Sequence, residues 1–184
     1  MKKIIIGAAT AAVVAAGTFG AVSANASAPQ AAPAAPAAAV AKKADAVDDN
    51  LRQTTHLTIE AATEAAQAAL KAAEKENQRV SVAVVDRNGT TLVTLRGDGA
   101  GPQSYESAER KAFTAVSWNA PTSVLVGRLA QAPNLKDIPG TLFLGGGVPV
   151  TASGAPIAGI GVAGAPSGDL DEKFAQAGVE ALNS

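Results

Sequence analysis

The 184-residue chain has no cysteine, a single histidine, a single methionine at its start, and only four Phe, one Tyr and one Trp. Without cysteine there is no disulfide, no thiolate metal site and no cysteine nucleophile, so stability has to come from a packed core and from subunit contacts. The lone histidine, His56, excludes a multi-histidine zinc site and leaves no Ser/His triad except one built on His56 itself. An excess of charge of either sign is also missing, with 15 Lys and Arg against 16 Asp and Glu. That balance gives no basic stripe of the kind nucleic acid calls for.

What is there begins with Lys2 and Lys3, followed by the apolar or small run Ile4 to Val22 and the small-x-small site Ala24-Asn25-Ala26. This is the layout of a secretory signal, residues 1–26, and cleavage after Ala26 is expected to release a secreted, extracellular protein. A retained anchor is disfavoured because an Ala- and Gly-rich run inserts weakly. The mature chain then has 13 basic and 16 acidic residues, a net charge of −3. Residues 27–50 set Pro29, Pro33 and Pro36 among alanines before a mixed charged tail, which reads as a disordered linker or arm. Residues 51–184 make one domain of ordinary size.

Within that domain Thr58 can cap a helix with the stripe Ile59, Ala62, Ala66, Leu70 and Ala73. The β-branched run Val80 to Val85, the Asn88-Gly89 signal and the alternating Thr90 to Leu95 predict a hairpin. Ser104 to Trp118 reads as a helix, broken by Asn119-Ala120-Pro121 and followed by a second helix over 122–130 with Val124, Leu125 and Leu129 inward. A buried strand is expected at Thr141 to Leu144, then strand material at 148–150 and a glycine-rich strand over 155–163. A last helix runs from Asp169 to about Leu182, with Phe174 inside. Short turns between the strands imply an antiparallel sheet with flanking helices, an α+β fold.

The stretch from Ser104 to Trp118 is where chemistry is sought. Its helical spacing puts Ser107, Lys111, Thr114 and Trp118 on one face, apart from the apolar stripe Tyr105, Ala108, Ala112, Ala115 and Val116. Two hydroxyls, an ammonium and an indole in line suit a ligand; an ordinary solvated face is the alternative. Two carboxylate pairs, Glu106 with Glu109 and Asp169 with Glu172, stand three residues apart and could share a hard cation such as iron, although acids in a first turn also serve capping and the helix dipole. The GxGxxG pattern at Gly159 to Gly164 lacks room for a second strand, so its glycines are read as allowing close backbone approach rather than dinucleotide binding. Arg96-Gly97-Asp98 is taken as a chance match to an adhesion triplet. For an iron porphyrin, the usual axial ligands reduce here to His56 and Tyr105, and scarce aromatics favour a shallow site or one shared between subunits.

The segments SYESAERKAFTAVSWNAPTS, IPGTLFLGGGVPV and GIGVAGAPSGDLDEKFAQAG together resemble the GlcG/HbpS-like family, the haem-degrading domain family, over about Leu57 to Leu182. The secreted, alanine-rich start is similar to the family's secreted haem-binding branch. The resemblance implies a profilin-like or PAS-like sheet, an octameric homo-oligomer, haem b and iron as cofactors, and weak haem breakdown with iron release. It also implies haem or redox sensing with the extracellular part of a membrane sensor histidine kinase as partner. On that resemblance the haem iron is approached by Thr114, with Lys111 pairing a propionate and Ser107 on the same stripe. A non-enzymatic signalling module and a haem-free small-molecule binder of the same fold are the alternatives.

Overall fold

The computed structural model describes residues 45–183; the signal segment expected at 1–26 and most of the linker expected at 27–50 lie outside the described residues. The Thr58 hydroxyl accepts from the Ala61 amide at 3.1 Å and starts α1 (Ile59–Lys75). Its buried side is alanine throughout (Ala62, Ala65, Ala66, Ala69, Ala73), which lets a neighbouring helix come close. Ile59, expected on that stripe, is exposed as the first helical residue.

Strands β1 (Ser81–Asp86) and β2 (Thr91–Arg96) form the expected hairpin. Asp86 organises its turn: one carboxylate oxygen accepts from the amides of Asn88 and Thr90, both at 2.8 Å. The Gly89 amide donates to the Asp86 carbonyl at 3.0 Å, and Gly89 takes the left-handed φ of +85°. Arg87 and Asn88 are thus the central residues of the turn Asp86–Gly89, with Gly89 as its last residue, rather than Asn88 and Gly89 forming a two-residue loop.

Helix α2 (Pro102–Trp118) opens on proline and ends at Asn119 in the left-handed region, φ +50°. Helix α3 (Thr122–Val126) is shorter than expected and passes into 3-10 turns; Leu125 is buried, but Val124 faces solvent. The expected strand at 141–144 is absent, and this segment has no regular structure. Strands β3 (Gly147–Ala152) and β4 (Ala155–Ala163) and helix α4 (Gly168–Ala181) complete the fold. The sheet order is β2-β1-β4-β3 with every neighbouring pair antiparallel, the α+β arrangement expected.

Strand alternation sorts the two faces. Val80, Val82, Val84, Ala158, Ile160 and Val162 pack with α1, α4 and the fully buried Phe174. On the other face Ala83 and Val85 meet Ala108, Ala112 and Val116 of α2. Here the contact is backbone on backbone: a Cβ at Gly159 would run into the Ala112 carbonyl, and one at Gly161 into the Ala108 carbonyl. The glycine-rich strand serves close approach, as its sequence suggests.

Gly161→Ala should therefore cost about 3 kcal/mol of stability, because α2 must lift from the sheet to admit a methyl group. Gly127→Ala meets open space at an ordinary φ of −61° and should change stability by less than about 1 kcal/mol. Urea unfolding of the two variants checks the contrast.

Candidate functional site

At the end of the sheet where β3 begins and β4 finishes, α2, α3 and α4 converge on the irregular segment 141–147. Backbone groups that cannot pair in a strand must find other partners when buried. They find side chains. Arg110 donates to the Thr141 carbonyl at 2.7 Å, and the Leu142 amide donates to the Thr114 hydroxyl at 2.8 Å. The Gly146 amide reaches Glu172 at 3.4 Å, and the Gly147 amide donates to the Thr122 hydroxyl at 2.8 Å.

The row on α2 read as ligand-facing is therefore largely internal. Thr114 is fully buried and its hydroxyl is doubly engaged, accepting from Leu142 and donating to the Arg110 carbonyl at 2.7 Å. In this conformation it cannot meet a haem iron. Ser107 and Trp118 are half-buried, and Trp118 packs edge-on against Phe143 with ring centroids 5.3 Å apart.

Lys111 is 4% exposed, and its ammonium donates to Asp171 at 2.7 Å and to the Val162 carbonyl at 3.0 Å. Its partner at rest is thus a carboxylate of the protein itself, not a free position awaiting a propionate. The other Asp171 oxygen accepts from the Ala165 amide at 2.9 Å. Burial pushes the Asp171 carboxyl above its ordinary 3.8, while Lys111 and the amides of Ala165 and Gly164 hold it back. The folded protein keeps this proton more tightly than the unfolded chain does. Its contribution to stability is therefore fullest below pH 3.8 and is lost as the pH rises through the displaced value. Asp171 was missed in the sequence because it looks like any first-turn acid beside Asp169.

Of the carboxylate pairs, Asp169 and Glu172 line one shallow cavity together with Lys173. Asp169 is exposed, and Glu172 accepts from the Ser123 hydroxyl at 2.5 Å and the Ser123 amide at 3.0 Å, capping α3. Glu106 is exposed and 3.8 Å from Arg110, while Glu109 accepts from the Thr94 hydroxyl at 2.9 Å. Glu106 thus faces outward from α2, and Glu109 lies half-buried against β2. Among the described residues no group of three or more His, Cys, Asp or Glu comes together as a metal site.

His56 lies exposed before α1, with Thr54 at 2.8 Å from one ring nitrogen and Asp86 at 3.8 Å from the other. Tyr105 is also exposed. Arg96 of the adhesion-like triplet turns back onto the Ala100 carbonyl at 2.6 Å and is part of a closed loop.

Above the Lys111–Asp171 pair opens a cavity of about 460 Å³. Val126, Leu144, Ala165 and Pro166 give it apolar walls, Ser123, Ser167 and Asp169 a polar rim, and Lys111 and Asp171 a charged floor. No His, Cys, Met or Tyr is in this lining, so it offers no strong axial ligand to a haem iron.

Residues 57–180 match the family of the haem degrading protein HbpS, and the chain belongs to this HbpS-like family. It is similar to Streptomyces reticuli HbpS, crystallised as a variant with two glutamates changed to aspartate: identity is 75%, coverage 76% of this chain and 96% of the other, and TM-score 0.75. A further HbpS structure is 77% identical over 74% of this chain and 97% of its own, with TM-score 0.74. The crystal structure of a PduOC:haem complex is 28% identical, covering 69% and 95%, with TM-score 0.63.

Lys111→Met or Asp171→Asn alone should each destabilise the fold by about 3–5 kcal/mol, because each strands a buried partner. The double variant should cost clearly less than the sum. A denaturant-unfolding double-mutant cycle measures the difference.

Proposed function

We propose that this chain is a secreted haem-binding protein whose haem b rests against Val126, Leu144, Ala165 and Pro166. The observation that carries this is the apolar-walled cavity with a charged floor, in a member of the HbpS-like family. The fit is to the porphyrin body. A porphyrin is larger than the cavity can enclose, and Val124 and Ile138 are exposed apolar residues as well. A second subunit over this surface would complete the burial, in line with the octameric assembly expected from the resemblance. With no strong axial ligand in the lining, haem would be held reversibly, which suits capture and release better than permanent residence. When bound, haem supplies redox chemistry at its iron; the chain's residues shelter one face and exclude water from it.

Free iron is assigned separately to Glu106 and Glu109. The two altered glutamates of the S. reticuli HbpS variant are three residues apart, and among the glutamates of this chain only Glu106 and Glu109 have that spacing. Two oxygen donors one turn apart on α2, one exposed and one half-buried beside β2, suit a hydrated iron completed by water or by another subunit.

Haemin titrated into the mature protein should give a saturable Soret band. Leu144→Asp combined with Val126→Asp, both at exposed positions, should weaken binding by about tenfold or more without unfolding the protein. Absence of a saturable band would overturn the haem reading, and loss of it in Thr114→Ala but not in the cavity variant would move the site to the α2 stripe. Glu106→Gln with Glu109→Gln should lower ferric iron uptake, read by equilibrium dialysis, and leave the Soret titration unchanged. N-terminal sequencing of exported protein should begin at Ser27.

A further inference from the structure

We propose that the floor of the cavity recognises a carboxylate, with Lys111 exchanging Asp171 for a carboxylate of the ligand. This rests on the cavity reading above and adds the chemistry by which the ligand is held.

A lysine this deeply buried is uncommon, and one that also lines an open cavity is placed where a ligand can reach it. Its ammonium has three protons but only two protein acceptors, Asp171 and the Val162 carbonyl. Among the described residues Lys111 is also the only cation in the cavity lining. The third N–H has no acceptor among the described residues.

Asp171 is built to stay in place if it loses the ammonium. Its second oxygen is anchored by the Ala165 amide at 2.9 Å, on the segment that leads into α4. Two ionised carboxylates cannot comfortably share one ammonium, so an arriving carboxylate brings a proton to Asp171. The lining already favours that outcome, since burial raises the affinity of this carboxyl for protons. The charge count before and after is the same: one ammonium and one carboxylate, with a proton drawn from solvent and a neutral Asp171.

The other charged groups around Asp171 do not replace this exchange. On α4, Asp169 lies at the exposed rim and Glu172 is tied to Ser123 and Gly146. From α3 the cavity receives only Ser123 and Val126, from segment 141–147 Leu144 and Gly145, and from the loop before α4 Ala165, Pro166 and Ser167. On α2, Arg110 is turned to the Thr141 carbonyl. The carboxylate can belong to a haem propionate or to a small free acid, and the two sources are separable.

The experiment compares haemin with haemin dimethyl ester, which lacks free propionates, and adds benzoate as a free carboxylate, all on the mature wild-type protein. Haemin should bind at least tenfold more tightly than the ester. Calorimetry in buffers of different ionisation enthalpy should show uptake of about one proton per haemin. Lys111→Met should abolish the preference; should that variant not fold, the comparison of ligands on the wild-type protein decides alone. Equal binding of haemin and ester overturns the carboxylate site and leaves the haem reading standing. A tenfold preference without proton uptake overturns the exchange with Asp171. If haemin fails to bind but benzoate shifts the NMR signals of Lys111 and Ala165, the haem reading falls and the carboxylate site holds. If neither ligand binds, both fall.

Discussion

Helix α2 can lie on the sheet at backbone distance because Gly159 and Gly161 face Ala112 and Ala108 with no side chain between them. Much else in the molecule depends on that contact. Lys111 stands next to Ala112, and only from a helix this close can its ammonium meet the Val162 carbonyl of β4 and continue to Asp171 on α4, which packs on the opposite face. The same seating brings Arg110 and Thr114 within reach of the Thr141 carbonyl and the Leu142 amide. A single added methyl group at Gly161 would act on both sets of bonds through the position of one helix.

The segment 141–147 gains its shape from those bonds. It has no strand partner along most of its length, and its buried polar groups are satisfied by side chains from three helices. Among the described residues no buried side-chain polar atom lacks a partner. Polar residues that could be mistaken for ligand contacts are thereby committed to holding a wall in place. What this leaves for a ligand is the wall itself, with Leu144 outermost, and the neutral ion pair beneath it. Such a cavity offers an apolar wall and a charged floor.

The sequence was most legible where one side chain settles the backbone. Thr58 as a cap, Asn119 as a stop and the hairpin around Gly89 stand where they were expected. The close approach of the glycine strand was legible too, because Gly at alternate positions has few other uses in a central strand. The site was harder to read. Ser107, Lys111, Thr114 and Trp118 share a helical face, but helical spacing does not say what lies over that face; here the segment 141–147 covers it. The expected strand at 141–144 failed for a related reason: Leu142, Phe143 and Leu144 look like strand residues, yet side chains of α2 take the Thr141 carbonyl and the Leu142 amide, and the Leu144 amide turns back to the Leu142 carbonyl. Asp171 carried no local signal at all. Its importance comes from Lys111, sixty positions earlier in the chain.

The most direct test of the account is hydrogen exchange, with and without haemin, on the mature protein at saturating ligand. New protection is expected in residues 141–147 and 164–169, which carry Leu144, Ala165 and Pro166 of the cavity wall, with little change around His56 or in the first turn of α2. Protection confined to the His56 arm, or to the outer face of α2 around Glu106, would contradict the placement of haem at the cavity.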